Sequence, residues 1–515
     1  MTKIGVNNTT IQQYNLVNLK NVKDMNAIEP TVKPTEPECY FSKFRENTVG
    51  INHTFESVYG EQNLVYADWV ASGRLYHPIE EIMLNKIGPM IANTHSLSSQ
   101  TGKTSTYAYQ YARDIIKKSV NASASDVLVA TGSGMTAALS KLQRIMALRT
   151  KSEEDRPVVF ITHMEHHSNQ VSWYETNAEV VILEPDANNL VSPEALSLAI
   201  KKYTDRSLKI GSFTACSNVT GIITPYYELA KIMHQNGGLC FVDFAASAPY
   251  VAIDMHPEDP EQQLDAIFFS PHKFLGGPGT CGILVFDEKL YQSDFPDNPG
   301  GGNVKWTNPL GKYCYSDSIE VKEDGGTPGF LQVIRTALAL ELKEQMGVEN
   351  IKKREKELLD LCFSRLQKIS GLSILGDLTT ERIGCVSFVI EDIHYNLIVR
   401  LLNDRFGIQV RGGWSCASTY AHYLFNINEK KSAEITNELL QRNQTNKPGW
   451  VRLSLHPIMS NEELFYICDA IEKVASNYKK WKKDYEYNPV SNEFENPDIQ
   501  DNITRDVTEW FKLVE

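Results

Sequence analysis

The stretch Ala266-Ile267-Phe268-Phe269-Ser270-Pro271-His272-Lys273-Phe274-Leu275-Gly276-Gly277-Pro278-Gly279 runs from an apolar segment through a lysine into a glycine-rich turn. An apolar run this short, bounded by turn residues, reads as a strand buried on both faces. A lysine at the carboxyl end of such a strand sits over a crevice rather than in open solvent. Burial there disfavours its charged form and leaves an amine able to form a Schiff base. A solvated loop lysine would carry the same local sequence, so the surrounding residues have to separate the two readings.

Outward from this stretch, further apolar runs recur at 127–130, 158–162, 179–183, 209–213, 239–244 and 282–286, separated by helix-length segments such as 134–148 and 225–236. Alternation of this kind predicts an α/β fold with a mostly parallel sheet, here a large domain over 63–335. Beyond 336 the pattern changes to long helices over 331–369 and 460–481 and strands over 383–390, 408–411 and 451–455. This predicts a smaller α+β domain over 336–483 that takes in part of 51–62. Residues 1–50, polar and punctuated by Pro30, Pro34 and Pro37, read as an N-terminal extension. Residues 484–515 read as an acidic C-terminal tail whose Trp510-Phe511-Lys512-Leu513 is either a docking helix or a frayed end.

The chain has 515 residues, room for two to four domains at about 150 residues each. Its 51 basic and 64 acidic side chains give a net charge of −13, which argues against nucleic acid as a partner. No run approaches the roughly 18 apolar residues of a membrane span, and the N-terminus lacks the regions of a signal peptide, so a cytoplasmic protein with no membrane partner is expected. Nine cysteines, an odd number without a C-x-x-C pair, fit neither a disulfide framework nor a zinc knuckle. They read as reduced thiols.

Three further features bear on Lys273. Asp243 ends the run 239–243, and an acid at the end of a buried strand requires a cationic partner; a protonated pyridine nitrogen would be one. The run 127–130 leads into Thr131-Gly132-Ser133-Gly134-Met135-Thr136 and then a helix, whose backbone N–H groups suit a phosphate. That turn lacks the lysine of a P-loop and the spacing of a dinucleotide loop. His163-Met164-Glu165-His166-His167-Ser168-Asn169 follows the run 158–162; its spacing is not that of a zinc helix, and no metal is expected. An imidazole at such a strand end can stack on a flat ring.

Together the glycine turn, Glu165-His166-His167-Ser168-Asn169, Ser217-Asn218-Val219-Thr220-Gly221, Val242-Asp243, Ser270-Pro271-His272-Lys273 and Arg411-Gly412-Gly413-Trp414-Ser415-Cys416 resemble the class V aminotransferase-fold group of pyridoxal-phosphate enzymes. The similarity is greatest to group II cysteine desulfurases and selenocysteine lyases, covers about residues 60 to 480 and keeps the motifs in order. It implies the aspartate aminotransferase-like architecture, fold type I, with pyridoxal 5'-phosphate as cofactor.

The resemblance also implies roles. Lys273 would hold the cofactor covalently, Asp243 would keep its pyridine nitrogen protonated, and His166 would stack on its ring. Ser133, Gly134, Ser270 and His272 would hold the phosphate, with Asn218 beside the phenolic oxygen. Arg452 would take the substrate carboxylate, with Arg411 and His95 on the same side of the pocket. Cys416 would attack the sulfur of the cysteine–cofactor adduct, breaking its Cβ–S bond, and keep that sulfur as a persulfide while alanine leaves. The turns 298–303 and 323–328 resemble segments that complete a neighbouring subunit's pocket, with Gly302 or Asn303 near the partner's cofactor, which implies a homodimer. A sulfur acceptor protein is a further implied partner.

Two positions depart from the family pattern. Ala246 stands where a glutamine usually reaches the phenolic oxygen, which leaves that hydrogen bond missing or supplied from elsewhere, Ser247 being the nearest hydroxyl. Ser415 stands where many desulfurases have histidine. A transaminase, epimerase, or C–S or C–Se lyase acting on another amino acid is therefore the alternative reaction. A noncatalytic scaffold or binding protein with a degenerate site is a second rival, against which Lys273, Asp243 and His166 argue.

Overall fold

Seven of the apolar runs assemble into one sheet: β1 (Asp126–Thr131), β2 (Val158–Thr162), β3 (Glu179–Leu183), β4 (Lys209–Thr214), β5 (Leu239–Asp243), β6 (Ala266–Phe269) and β7 (Gly282–Asp287). The computed structural model describes residues 34–152, 154–498 and 503–513, so residues 1–33 of the expected extension lie outside the described residues. Across the sheet the order is β1-β7-β6-β5-β4-β2-β3. Pairing is parallel from β6 through β3, whereas β7 runs antiparallel to both β1 and β6. The physical reason is the connection from β6 to β7: the Lys273 turn fills it, and without a full crossover helix the chain can only double back.

Burial on both faces explains why these strands carry no polar alternation. Phe160, Phe213, Phe241, Phe268 and Leu284 are all fully buried, each worth roughly 1.5–3 kcal/mol of apolar burial. The fold is the α/β arrangement with a large, mostly parallel sheet that the sequence predicts, in the fold type I class.

A second sheet is built from β8 (Leu372–Ile374), β9 (Cys385–Ile390), β10 (Arg411–Gly413) and β11 (Trp450–Ser454), ordered β8-β9-β11-β10 and antiparallel throughout. Helices Val348–Leu366, Tyr395–Phe406 and Asn461–Trp481 cover it over a separate core that includes Leu358, Leu401 and Ile467. The single long helix expected over 331–369 is two, Phe330–Met346 and Val348–Leu366, because Gly347 at φ 74° leaves the helical region.

The segment ahead of the large sheet crosses between the two layers. Val65–Tyr66 pairs in parallel with Ile408–Gln409, and Asp68 bridges to Ser454. Both ends also carry structure. Where the sequence reads as an extension, Glu36–Glu46 forms a helix, capped by Thr35 and buried through Phe41 and Phe44. The tail forms a hairpin, Glu486–Asn488 with Glu493–Glu495, and then a helix, Ile503–Trp510, with no buried residue.

Candidate active site

The carboxyl ends of β1, β2, β4, β5 and β6 converge on a cavity of about 580 Å³, completed by residues of the second sheet and its loops. Lys273 enters it from the turn after β6 and Asp243 from the end of β5. Burial pushes the Lys273 amine below the ordinary lysine value, more than the Asp243 carboxylate restores, and Arg452 pushes in the same direction as burial. The uncharged, nucleophilic form is thereby favoured.

Asp243 is 3% exposed, its Oδ1 accepting the Ala245 N–H at 2.8 Å. Burial raises its carboxyl to about 6, against the opposing effects of that hydrogen bond and Lys273. In the cofactor-free protein the folded-state value thus lies above the unfolded one. The associated stability is complete below the unfolded value and lost as pH rises through about 6. Cofactor-free Asp243→Asn should accordingly exceed the wild type by up to about 3 kcal/mol at pH 8. The gain should vanish near pH 4 in urea unfolding; equal stability at pH 8 would contradict the assignment.

The helix Met135–Ile145 starts at Gly134, which offers no side-chain cap and leaves its N-terminal end to an outside acceptor. A Cβ at Gly134 would lie 2.9 Å from Ser270 Oγ, which itself accepts the Met135 N–H at 2.9 Å. Ser133, Ser270 and His272 line the same corner. Burial lowers the His272 imidazole to about 4, so it meets an anion as a neutral donor.

His166 is held by its own helix: it caps His167–Tyr174, Nδ1 accepting the Ser168 N–H at 3.1 Å. Burial, reinforced by Lys273, lowers its imidazole to about 3, which gives a flat neutral ring for stacking. Beneath it lies Glu165, 1% exposed, which accepts from Thr162 Oγ1 (2.7 Å), the Thr214 N–H (3.0 Å) and Asn169 Nδ2 (2.7 Å). These bonds tie β2 to β4 under the cavity floor.

His167 ties the floor to the cysteine loop. Its N–H donates to Cys416 O at 2.8 Å and its Nε2 accepts the Ser418 N–H at 3.1 Å. Asn218 Nδ2 donates to Ser415 O at 2.7 Å, and Trp450 Nε1 donates to Ser415 Oγ at 3.1 Å. So anchored, Ser415 and Cys416 both keep positive φ, 49° and 58°, costly for residues with a Cβ. Cys416 is exposed and, of the nine cysteines, the one that lines this cavity.

The two arginines converge on a residue that motif reading missed. Asp68 receives Arg452 Nη2 at 2.7 Å on Oδ1 and Arg411 Nε at 3.0 Å on Oδ2. Arg452 is 3% exposed and gives Nη1 to Asn218 O, while its Nε has no partner among the described residues. Asp68 therefore orients both cations, and the available signal was an acid within the apolar run Val65-Tyr66-Ala67-Asp68-Trp69-Val70.

The remaining expected residues fall elsewhere. His95 is exposed at φ 65° and does not border the cavity. Asn303 is fully buried but bonds Asn298 O and Lys322 O, so within this chain it braces its own turn. Ser247 lies on the far side of the floor from Ala246, in another cavity, and does not replace the missing glutamine. Among the described residues no group of three or more histidines, cysteines and carboxylates is placed to hold a metal.

The C-terminal hairpin braces the approach to the strand that carries Arg452. Asn492, in the C-terminal hairpin, donates through Nδ2 to Tyr395 Oη at 2.7 Å, and Gln444 N–H donates to Pro489 O at 3.0 Å. The Tyr395 ring lies against Gly449, just before the strand that carries Arg452. Asn492→Ala leaves the Tyr395 hydroxyl without its buried partner and puts alanine at φ 63°. It should cost about 1–2 kcal/mol in urea unfolding, with cofactor absorbance unchanged; no loss would show the hairpin to be unbraced.

These features suit pyridoxal phosphate in charge and shape: an uncapped helix start with hydroxyls for the phosphate, a buried acid for the ring nitrogen, a neutral flat ring and a desolvated amine. Fold and site together define an enzyme of the pyridoxal-phosphate type, and the chain belongs to the aminotransferase class V family, whose family model matches residues 65–467. Within that family it is 30% identical over 366 residues to a probable cysteine desulfurase of Halalkalibacterium halodurans, across 70% of this chain and 86% of that one. It is 29% identical over 377 residues to one of Staphylococcus epidermidis, across 72% and 87%. Among solved structures, a cysteine desulfurase of Thermococcus onnurineus matches with TM-score 0.69 at 21% identity, covering 87% of this chain and 99% of that one. The cysteine desulfurase CsdA of Escherichia coli matches with TM-score 0.68 at 21% identity, covering 85% and 98%.

Proposed function

We propose that the enzyme is a cysteine desulfurase that converts L-cysteine to alanine and leaves the sulfur on Cys416 as a persulfide. Pyridoxal phosphate, when bound, supplies an electron sink that acidifies the α-carbon of the amino acid and weakens its Cβ–S bond. Lys273 holds the cofactor and then moves the α proton, a task suited to an amine whose charged form burial disfavours. Asp243 sustains the ring nitrogen's proton, His166 covers the ring, and Arg452 with Arg411 receives the substrate carboxylate. The observation that carries the reading is Cys416: an exposed thiol lining the cavity that Lys273 enters.

The test is to incubate the cofactor-loaded protein with L-cysteine and to measure alanine, sulfide, keto acid and protein-bound persulfide. Alanine with persulfide on Cys416 is expected. Keto acid in place of alanine would replace the reading with a transaminase or lyase. That alternative is favoured by Ala246, which lines the cavity where the family glutamine would stand.

The turns 298–303 and 323–328 are cross-linked by the Gly326 N–H on Gly301 O at 2.7 Å and lie away from this chain's own cavity. Their position supports a homodimer in which they complete the partner's pocket, and the exposed Cys416 supports a protein acceptor for the sulfur. A cytoplasmic setting accords with nine free cysteines. Among the described residues no helix is long and apolar enough to cross a membrane.

A further inference from the structure

Behind the cofactor floor lies a second cavity of about 720 Å³. One wall is the segment after β5 that carries Ser247 and Tyr250; the opposite walls are the helix Val348–Leu366, carrying Glu355, Leu359 and Phe363, and the loop that carries Arg382. Ala246 borders the first cavity and Ser247 the second, so a single turn of chain separates the two.

The walls hold polar groups that the protein itself does not satisfy. Glu355 is 4% exposed and accepts one hydrogen bond, from the Gly384 N–H to Oε1 at 2.7 Å; among the described residues it has no ion-pair partner. Ser247 Oγ and Tyr250 Oη, both in side chains more than nine-tenths buried, have no hydrogen-bond partner among the described residues. Buried polar groups in native proteins are seldom left in this state, because each lost hydrogen bond to water goes uncompensated. Two unpartnered hydroxyls on one wall, with a carboxyl that lacks an ion-pair partner on the opposite one, point to a ligand.

The charges select its class. Lys352 is paired with Glu381 at 2.6 Å and Lys356 with Asp360 at 2.7 Å. Arg382 directs Nη1 to Thr220 O and Nη2 to Asp377 O, and its guanidinium lies 5.3 Å from the Phe363 ring centre. Of Arg382 only Nε lacks a partner among the described residues, and it is itself buried, so no two-pronged cationic donor is free for a phosphate or carboxylate, whereas the Glu355 carboxyl has no ion-pair partner among them. Leu359 and Phe363 supply apolar surface beside it.

We propose that this cavity is a binding site for a small organic ammonium ion with an apolar body, its N–H donated to Glu355 and its body against Leu359 and Phe363. Burial raises the empty-site Glu355 carboxyl to about 8, so it is protonated at neutral pH, and seating a cation beside it should release that proton. The titratable groups that line its cavity are Glu349, Lys352, Lys356 and Asp360 on its own helix, Glu381 and Arg382 from the loop, and Tyr226 and Tyr250 from the opposite wall.

The test is calorimetric titration of the cofactor-loaded full chain with N,N-dimethyl-2-phenylethylamine, a tertiary amine that cannot condense with the cofactor. At pH 7 it should bind with a dissociation constant of about 0.1–1 mM, reasonable for so small a probe, and the heat should vary with buffer ionisation enthalpy as the proton leaves. Glu355→Gln, which keeps Oε1 for Gly384, should weaken binding at least about tenfold and abolish the buffer dependence. Tyr250→Phe, which removes a hydroxyl with no protein partner, should fold normally and bind more weakly, and phenylacetate should not bind. Undiminished binding in Glu355→Gln, equal binding of phenylacetate, or no heat with the amine would overturn the assignment. None of these readouts depends on which reaction the first cavity catalyses.

Discussion

Lys273→Ala should lower turnover by about 10,000-fold or more and leave pyridoxal phosphate removable by gel filtration. Two functions are lost together: the covalent hold on the cofactor and the proton transfer at the substrate's α-carbon. The rest of the pocket does not depend on this amine. Asp243 keeps the Ala245 N–H, His166 keeps the Ser168 N–H, and Ser270 keeps the Met135 N–H. The variant should therefore fold and still bind the cofactor reversibly, through the helix start and Asp243. Absorbance before and after filtration, with alanine release from L-cysteine, reads both effects. Turnover within tenfold of the wild type would remove Lys273 from the chemistry.

Cys416→Ala should reduce alanine formation from L-cysteine at least about 100-fold and eliminate protein-bound persulfide, while the cofactor's absorbance band stays as in the wild type. The separation is expected because the loop is held by groups other than the thiol: Cys416 O by the His167 N–H, Ser415 O by Asn218 and Ser415 Oγ by Trp450. Alanine tolerates the positive φ of position 416 no worse than cysteine does, so backbone strain is unchanged. Mass measurement of the persulfide, alongside amino-acid and keto-acid assays, distinguishes the outcomes. Undiminished alanine formation would take the thiol out of the mechanism and favour a lyase that releases sulfur directly.

The large sheet was legible because its strands are buried on both faces and so read as unbroken apolar runs. The same runs did not disclose that β7 lies antiparallel, which follows from the short return that carries Lys273. Gly347 was visible in the sequence, but its left-handed conformation, which splits the long helix, was not. Lys273, Asp243 and His166, which line the cavity, were legible since each lies at or a few residues past the carboxyl end of a strand, where a charged or aromatic polar group is out of place unless used. Asp68 was not: it is distant in sequence from Arg411 and Arg452, and only the pairing of Val65–Tyr66 with Ile408–Gln409 brings it between them. His95 and Asn303, inferred from motif resemblance alone, do not border this chain's cavity.

What the sequence determined by itself was the α/β class, the family and the residues at strand ends, since local periodicity and motif order need no knowledge of distant contacts. The tertiary structure alone decided which cation meets which acid, which way Ser247 faces and how Cys416 is held. Those depend on contacts between segments hundreds of residues apart, such as Asp68 with Arg452 and His167 with the cysteine loop. The second cavity belongs to the same category. Glu355, Tyr250 and Ser247 are unremarkable in the sequence, and packing of the two layers is what leaves them facing one space, the two hydroxyls without hydrogen-bond partners and the carboxyl without an ion-pair partner among the described residues.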